Sequence, residues 1–454
     1  MEKIKSQVLK KIKPSEKEAL KIEQFLDKLI QRAKEFSGLP CLCVGSVGKG
    51  TWLSGDHDID LFIIFPRYVK REDLEKKGLE LGKKLAKAMK GRVQMKYAEH
   101  PYIRFVTKMT PKGVGSKGNF IADIVPCYEM KIGEHVQSAV DRSPLHLEFV
   151  RKHIKGKEDD VRLLKQFCKG IGVYGSDAKH LGISGYICEL LVIKYGSFDS
   201  VIKGLTNMKA GDIVNLTDKN IEIKKFRDQP MIVIDPVDPE RNAAAVMSGE
   251  SFIRLTDMAK TFLKQPSEKY FSKQKAKPLA ANDSKVIQAR GTEFIGIVFK
   301  RPDVIDDIIY PQTRRLSDRL ESLLRHNEFL SLHLVDYVDE KIVAIIAEME
   351  TWSLPDVKKM DGPPIFAQKN SEEFRSKYKN ARISGVRWYA EVDRKYKNAH
   401  GLLADFFKHA TQEAGVPKHL VKEAKKARIL QGTSFWSFVL KNKELSAMLR
   451  EKFI

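Results

Sequence analysis

The stretch GSVGKGTWLSGDHDIDLFIIF, Gly45 to Phe65, decides the fold. Its second half, Asp58 to Phe65 (DIDLFIIF), reads as a strand that Pro66 ends. Successive side chains of a strand point to opposite faces. Asp58 and Asp60 therefore share a face, while Ile59 and Leu61 turn into a core. Two carboxylates this close repel, and one of them would ordinarily stay protonated. A divalent cation removes that conflict. A third carboxylate, Asp123 in NFIADIVPCY, ends an apolar run predicted to lie beside them. Three carboxylates at one sheet edge offer hard oxygen ligands for magnesium. Two such ions can activate an attacking hydroxyl and stabilise a departing pyrophosphate. The first half supplies the phosphate side. Gly45 lets backbone approach a triphosphate, Ser46 offers a hydroxyl and an N–H, and Lys49 adds a positive charge. A bare Asp-x-Asp is usually a surface or turn feature. The specificity lies in the Gly-Ser bend before it and the later aspartate beside it.

Working outward, Ser15 followed by Glu18 is a capping-box start. Leu20, Ile22, Phe25, Leu26, Leu29, Ile30, Ala33 and Phe36 recur at helical spacing until Gly38-Leu39-Pro40. A short strand is expected over Cys41–Val44, a helix over about 71–90, and strands near 93–98, 102–108 and 119–126. That order predicts a mixed sheet with helices on one face. From about 148 to 265 the pattern is mainly helical, with Asp159–Lys169, a helix opened by Ser184-Gly185, a strand Met231–Ile234, and a helix over 250–264. The polar stretch 266–284 is the expected linker. Strand 293–299, helix 312–325 and strands 329–335 and 341–349 then predict a βαββ unit, and residues from about 361 onward read as mainly helical. The literal GxGxxG at Gly113–Gly118 leads into a strand rather than out of one, so it reads as a hairpin tip and not a dinucleotide fingerprint.

Composition narrows the classes. The chain has 454 residues, with 81 Lys plus Arg against 59 Asp plus Glu and a formal net charge of +22. Such an excess favours a polyanionic partner, because phosphate contacts release condensed counterions. The bland alternative is a solvated basic surface. The cysteines Cys41, Cys43, Cys127, Cys168 and Cys188 form no CxxC pair, which argues against a zinc ribbon and fits a reducing compartment. No apolar run is long enough for a membrane span, and the charged start lacks a secretory apolar region. A cytoplasmic protein with no membrane partner is expected.

The Gly-Ser bend followed by Asp-x-Asp resembles the DNA polymerase β-like nucleotidyltransferase superfamily. A finer resemblance is to archaeal-type, class I CCA-adding enzymes. It rests on GSVGKGTWLSG, YAEHPYIRF, DIVPCY, SAVDRSPLH, VRLLKQF, GVYG, SGYICELLVIKYGSF and IDPVDPERNAAAVMS, in order over about residues 44–248. It continues more weakly in FKRPDVIDDIIYPQ and GVRWYAEV. The resemblance implies an α+β fold with a polymerase β-like palm (1–147), a helical, nucleotide-binding neck (148–265), an α+β body (266–360) and a mainly helical tail (361–454), the last two binding tRNA. It implies template-independent addition of C, C and A to tRNA from CTP and ATP with two Mg2+ ions. Asp58, Asp60 and Asp123 would be catalytic and metal-holding. Gly45, Ser46 and Lys49 would meet the triphosphate, and His146, Lys165, Tyr174 and Arg241 the nucleotide, with Arg241 reading the base together with RNA. Glu99 and His100 would lie near the RNA 3′ end. Two departures stand out: Asp58 where the family often has Glu, and Lys49 where it often has Arg, which turns a forked phosphate contact into a point charge.

Read without the resemblance, Lys165 at the border of an apolar helix face could simply snorkel, His146 could cap or pack, and Tyr174 could be loop packing. A poly(A) or oligo(U) polymerase, or an RNA-binding protein with an inactive transferase domain, remain rival readings. Monomer and homodimer are both open.

Overall fold

The computed structural model describes residues 1–56, 58–97, 101–108, 119–132, 134, 136–217, 222–273 and 277–454. They form two compact units, Met1–Gln274 and Lys275–Ile454. The division falls inside the stretch expected to be a linker.

The first unit begins with α1 (Glu2–Ile12) and α2 (Glu16–Ser37). The Ser15 side chain accepts from the Glu18 N–H at 3.2 Å, so the expected cap forms. Ile22, Leu29 and Ala33 of α2 are buried, whereas Leu20 and Phe36 are 53% and 40% exposed, a narrower stripe than the periodicity predicts. There follow β1 (Cys41–Val44), the one-turn α3 (Gly45–Gly48), β2 (Asp58–Phe65), α4 (Arg71–Ala88), β3 (Arg92–Tyr97), β4 (Pro101–Lys108) and β5 (Asn119–Tyr128). The strands form one sheet in the order β1-β2-β5-β4-β3. Only β2 and β5 pair in parallel; the other neighbours are antiparallel. On one face Ile59, Leu61, Ile63 and Phe65 pack with Leu29 of α2 and Leu74, Leu81 and Leu85 of α4. The other face is part covered: Val44, Phe62, Val125 and Cys127 meet Leu147 from α5 (Arg142–Ile154). That partial cover leaves the Asp58–Asp60 end of this face for chemistry.

The rest of the unit is α6 (Glu158–Gly170), α7 (Gly185–Tyr195), α8 (Phe198–Asn207), a small sheet of β6 (Ile213–Val214), β7 (Ile232–Asp235) and β8 (Asp238–Asn242), and α9 (Gly249–Lys264). The Ser184 side chain caps α7 by accepting from the Ile187 N–H. Phe167, Phe198 and Phe262 meet edge to face, joined by Tyr270 and Phe271. The last two correct the linker reading: Tyr270 and Phe271 are 7% and 4% exposed in this core, so the segment through residue 271 belongs to the first unit.

The second unit opens with α10 (Ala281–Gln288), β9 (Glu293–Lys300), α11 (Asp306–His326), β10 (Leu330–Val338) and β11 (Ile342–Thr351). The expected βαββ unit is there, with α11 starting six residues earlier than periodicity suggested and running through Pro311. Next come β12 (Val357–Pro364), α12 (Gln368–Lys377), β13 (Arg382–Ser384), β14 (Arg387–Asp393), α13 (Ala399–Lys408), α14 (Val421–Ala424), β15 (Arg428–Gln431), α15 (Thr433–Lys441) and α16 (Lys443–Phe453). Residues 361–454 are thus less helical than expected: β12, β14 and β13 form a sheet of their own, and β15 extends the main sheet to the order β10-β11-β9-β15. The physical reason is that β13 is three residues long and exposed throughout and β12 ends in Gly-Pro-Pro, so neither shows apolar alternation; only β14, with Trp388, Ala390 and Val392 at every second position, carries that mark.

No helix of the described residues is long and apolar enough to cross a membrane.

Candidate active site

Register settles which aspartates meet. Asp60 on β2 lies directly opposite Asp123 on the parallel strand β5, and Asp58 opposite Ile121. Neighbouring strands run about 4.8 Å apart. Asp58 is exposed, Asp60 half-buried and Asp123 only 8% exposed. Burial, then the charges of Asp123 and Asp58, push the Asp60 carboxyl up to about 7. Burial and the two neighbouring acids together outweigh the opposing charges of Arg104 and Lys49.

Arg104, one of those opposing charges, lies on β4 across from Asp123, on the far side of β5. Its Nε and Nη2 donate to Asp123 Oδ1 and Oδ2, both at 2.7 Å, a bidentate fork. The fork accounts for a second observation. Among the described residues, no three His, Cys, Asp or Glu side chains are gathered into a ready metal-holding group. Register brings Asp60 beside Asp123 and leaves Asp58 opposite Ile121, and both Asp123 oxygens are turned to Arg104. The donor set still fits a hard divalent cation: carboxylate oxygens on adjacent strands, with one acid pushed towards neutrality by burial and then by its neighbours.

The phosphate side abuts this acid directly. Gly45 has φ +66°, and a Cβ there would sit 2.0 Å from Asp60 Oδ2, so only glycine fits. The bend expected at Gly45-Ser46 is a turn of helix, α3, in which the Ser46 carbonyl accepts from the Thr51 N–H at 3.0 Å. The loop from Lys49 to Asp56 is then held from several sides. The Ile12 carbonyl at the end of α1 accepts from the Ser54 N–H at 2.7 Å. Glu18 accepts from the Ser54 hydroxyl at 2.9 Å and the Gly55 N–H at 2.8 Å. Arg162 donates to the carbonyls of Gly50 and Trp52, and Lys169 pairs with Asp56 at 2.8 Å.

Two buried carboxylates organise the remaining expected residues. Glu189, inside the apolar helix α7, accepts from Lys49 Nζ at 2.8 Å, Lys165 Nζ at 3.1 Å and Thr51 Oγ1 at 2.6 Å. Its side chain and those of both lysines are at most 8% exposed. Burial alone would raise the Glu189 carboxyl, but the two ammonium groups outweigh it and hold it at about 2. Lys165 therefore does not snorkel. Tyr174 lies alongside: a Cβ on Gly185 would be 3.0 Å from the Tyr174 hydroxyl and 3.1 Å from Lys165 Cε.

The second carboxylate is Asp235, fully buried at the end of β7. His146 Nε2 meets its Oδ2 at 2.9 Å and Arg241 Nη1 donates to the same oxygen at 2.7 Å. The Tyr186 hydroxyl donates to Oδ1 at 3.0 Å. His146 stacks on Tyr186 at 4.1 Å, and Lys49 Nζ lies 4.7 Å above the Tyr186 ring, which joins the two clusters. Burial drives the His146 imidazole below its ordinary value despite Asp235. Glu99 and His100 lie outside the described residues, as does the 109–118 hairpin.

A nucleotidyltransferase domain family matches residues 22–146, the second domain of tRNA nucleotidyltransferase matches 159–272, and the C-terminal domain of CCA-adding enzyme matches 290–432. The CCA-adding enzyme of Methanosarcina acetivorans is 37% identical over 419 residues, 88% of each chain. That of Methanocaldococcus jannaschii is 36% identical over 435 residues, 92% of this chain and 94% of its own. This chain belongs to the CCA-adding enzyme family. It is a tRNA nucleotidyltransferase, and its first sheet lies in a nucleotidyltransferase domain. Among solved structures, the poly(U) polymerase Cid1 aligns with a TM-score of 0.48 and 14% identity, over 60% of this chain and 98% of its own.

Within this CCA-adding enzyme the sequence reading missed Arg104, Glu189, Tyr186 and Asp235. One signal was visible for Glu189, a single acid in the apolar run GYICELLVI, since such a residue buries only if paired. Arg104 has no such mark, because its partner emerges only from strand register.

Proposed function

We propose that this chain adds C, C and A in turn to the 3′ end of tRNA in the cytoplasm, using CTP and ATP and releasing pyrophosphate. The observation that carries the reading is the Asp60–Asp123 register with Asp58 two residues away, set against the Gly45 wall. Asp58, Asp60 and Asp123 would hold two magnesium ions. When bound, these supply charge stabilisation at the attacked phosphate and the departing pyrophosphate.

The chain's own residues do the rest. Arg104 fixes the Asp123 carboxylate through both oxygens. Ser46, Lys49, Lys165 and Tyr174 line the triphosphate side, with both lysines pre-set by Glu189 rather than left to search rotamers. His146 and Arg241 meet the nucleotide from the neck. The second unit grips tRNA through phosphates and shape, as RNA helices are commonly recognised, and the +22 charge accords with that.

The test is incorporation on tRNA trimmed of its last three nucleotides, with labelled CTP and ATP and with magnesium added or chelated. Addition limited to C, C and A, lost on chelation, supports the reading. Long tails from ATP alone would favour a poly(A) polymerase, and tRNA binding without incorporation would favour an inactive RNA-binding protein.

A further inference from the structure

Asp235 is the most completely engaged carboxylate of the nucleotide side. Oδ2 takes His146 and Arg241, while Oδ1 takes the Tyr186 hydroxyl and the Val237 N–H at 3.2 Å. These donors come from three places: His146 from α5, Tyr186 from α7, and Arg241 with Val237 from the β7–β8 hairpin. A second ion pair, Arg142 with Asp238 at 2.7 Å, ties the same hairpin to α5. Asp235 is fully buried, but the Arg241 side chain is 38% exposed. A guanidinium has five N–H donors in a rigid plane. Committing one of them to a buried, immobile oxygen anchors that end of the group and leaves the exposed edge for a ligand.

We propose that Asp235 is the positioning residue for nucleotide choice, holding Arg241, His146 and Tyr186 as one oriented unit. The proposal rests on the reading of Arg241 as the side chain that meets the base. Discrimination between bases needs donors fixed in direction, because a mobile donor satisfies a wrong base by turning. Arg241 alone, on the rim of a two-strand hairpin, would be mobile. The acid behind it removes that freedom. Being saturated by its four donors, Asp235 acts through Arg241 and does not itself meet substrate.

The experiment uses the full chain and trimmed tRNA, comparing kcat/KM for CTP against UTP at the C positions and for ATP against GTP at the A position. Asp235→Asn keeps the shape but turns an NH2 towards donors or loses the second acceptor. Discrimination should erode by roughly ten- to hundredfold, the worth of a fixed side-chain contact to a base edge. Magnesium dependence and tRNA affinity should stay as in the unaltered chain. In an Arg241→Ala background Asp235→Asn should change selectivity no further, a non-additivity that general loosening of the fold does not produce. Arg241→Lys serves if Asp235→Asn does not fold: with one ammonium drawn to the carboxylate, it should lose selectivity as Arg241→Ala does. Unchanged discrimination in Asp235→Asn, additive losses in the double variant, or full selectivity in Arg241→Lys would each overturn the proposal. If the unaltered chain fails to add C, C and A, the reading of the reaction falls, and this one with it. Selective addition that survives Asp235→Asn removes only the Asp235 assignment.

Discussion

Replacing Glu189 by Gln is the most informative single change. In the intact protein one carboxylate answers two ammonium groups, Lys49 and Lys165, with no side chain of the three more than 8% exposed. The amide would leave two buried positive charges within reach of one neutral oxygen. Breaking a buried pair by removing one partner costs about 3–5 kcal/mol. The depression of the carboxyl by its two ammonium partners has the same sign. Held at about 2 against an ordinary 4.5, it is depressed by 4.5 − 2 = 2.5, or about 3 kcal/mol at 1.36 per pH unit. That is a large share of the ~5–15 kcal/mol of a typical domain. Because the folded value lies below the unfolded one, the contribution is fully present above the unfolded value near 4.5 and fades as pH falls towards 2. Trp52 is the one tryptophan in residues 1–274, so 5-fluorotryptophan NMR follows this unit alone through a urea titration. The expected result is a sharply lowered midpoint at pH 7, with the gap to the unaltered protein narrowing below pH 4.5. Replacing Glu189, Lys49 and Lys165 together by Leu, Met and Met should recover much of the loss, since apolar side chains of similar volume can stand in for a buried charged triad. An unchanged midpoint at pH 7 would refute the whole account of Glu189 as the keystone of the phosphate side.

Three further outcomes are expected. Asp60→Ala should abolish incorporation while tRNA affinity in a filter-binding assay stays near its original value; equal loss of both would count against the site. Gly45→Ala forces a methyl to 2.0 Å from Asp60 Oδ2 at φ +66°, so incorporation should fall at least about a hundredfold, the scale of a misplaced reacting group, with tRNA binding retained. Phe271→Ala should destabilise the first unit by about 3–5 kcal/mol in the Trp52 titration, since the ring is 4% exposed among Phe167, Phe198 and Phe262; no change would restore the linker reading.

How far the sequence could be read depended on how local the information was. The strands Cys41–Val44 and Asp58–Phe65 could be read because alternation and the bounding Pro and Gly residues all lie within a few positions. The helix α1 went unread although Ile4, Val8, Leu9 and Ile12 keep helical spacing and seat against the core, because the lysines between them dominate the segment. The turn α3 hid behind glycines, the poorest helix formers after proline. The site divides in the same way. Asp58 and Asp60 announce themselves as a pair two apart, but Glu189 draws Lys49 from 140 residues away and Asp235 draws His146 from 89 away. No window along the chain spans such distances. His146, Lys165 and Arg241 were named only by resemblance, and the carboxylates that hold them lay in motifs already quoted, SGYICELLVIKYGSF and IDPVDPERN, with nothing to mark the acid as the hub.

The backbone bond from Ser54 to Ile12 has a practical side. Proteins are often trimmed at their ends on the assumption that a lysine-rich opening is dispensable. Here, cutting away the first thirteen residues would strip an acceptor from the loop that delivers Asp58. It would also expose the flank of α6, where Val8 and Ile12 are seated. A shortened enzyme that melts normally in its second unit yet turns over poorly would be the signature of that missing clasp.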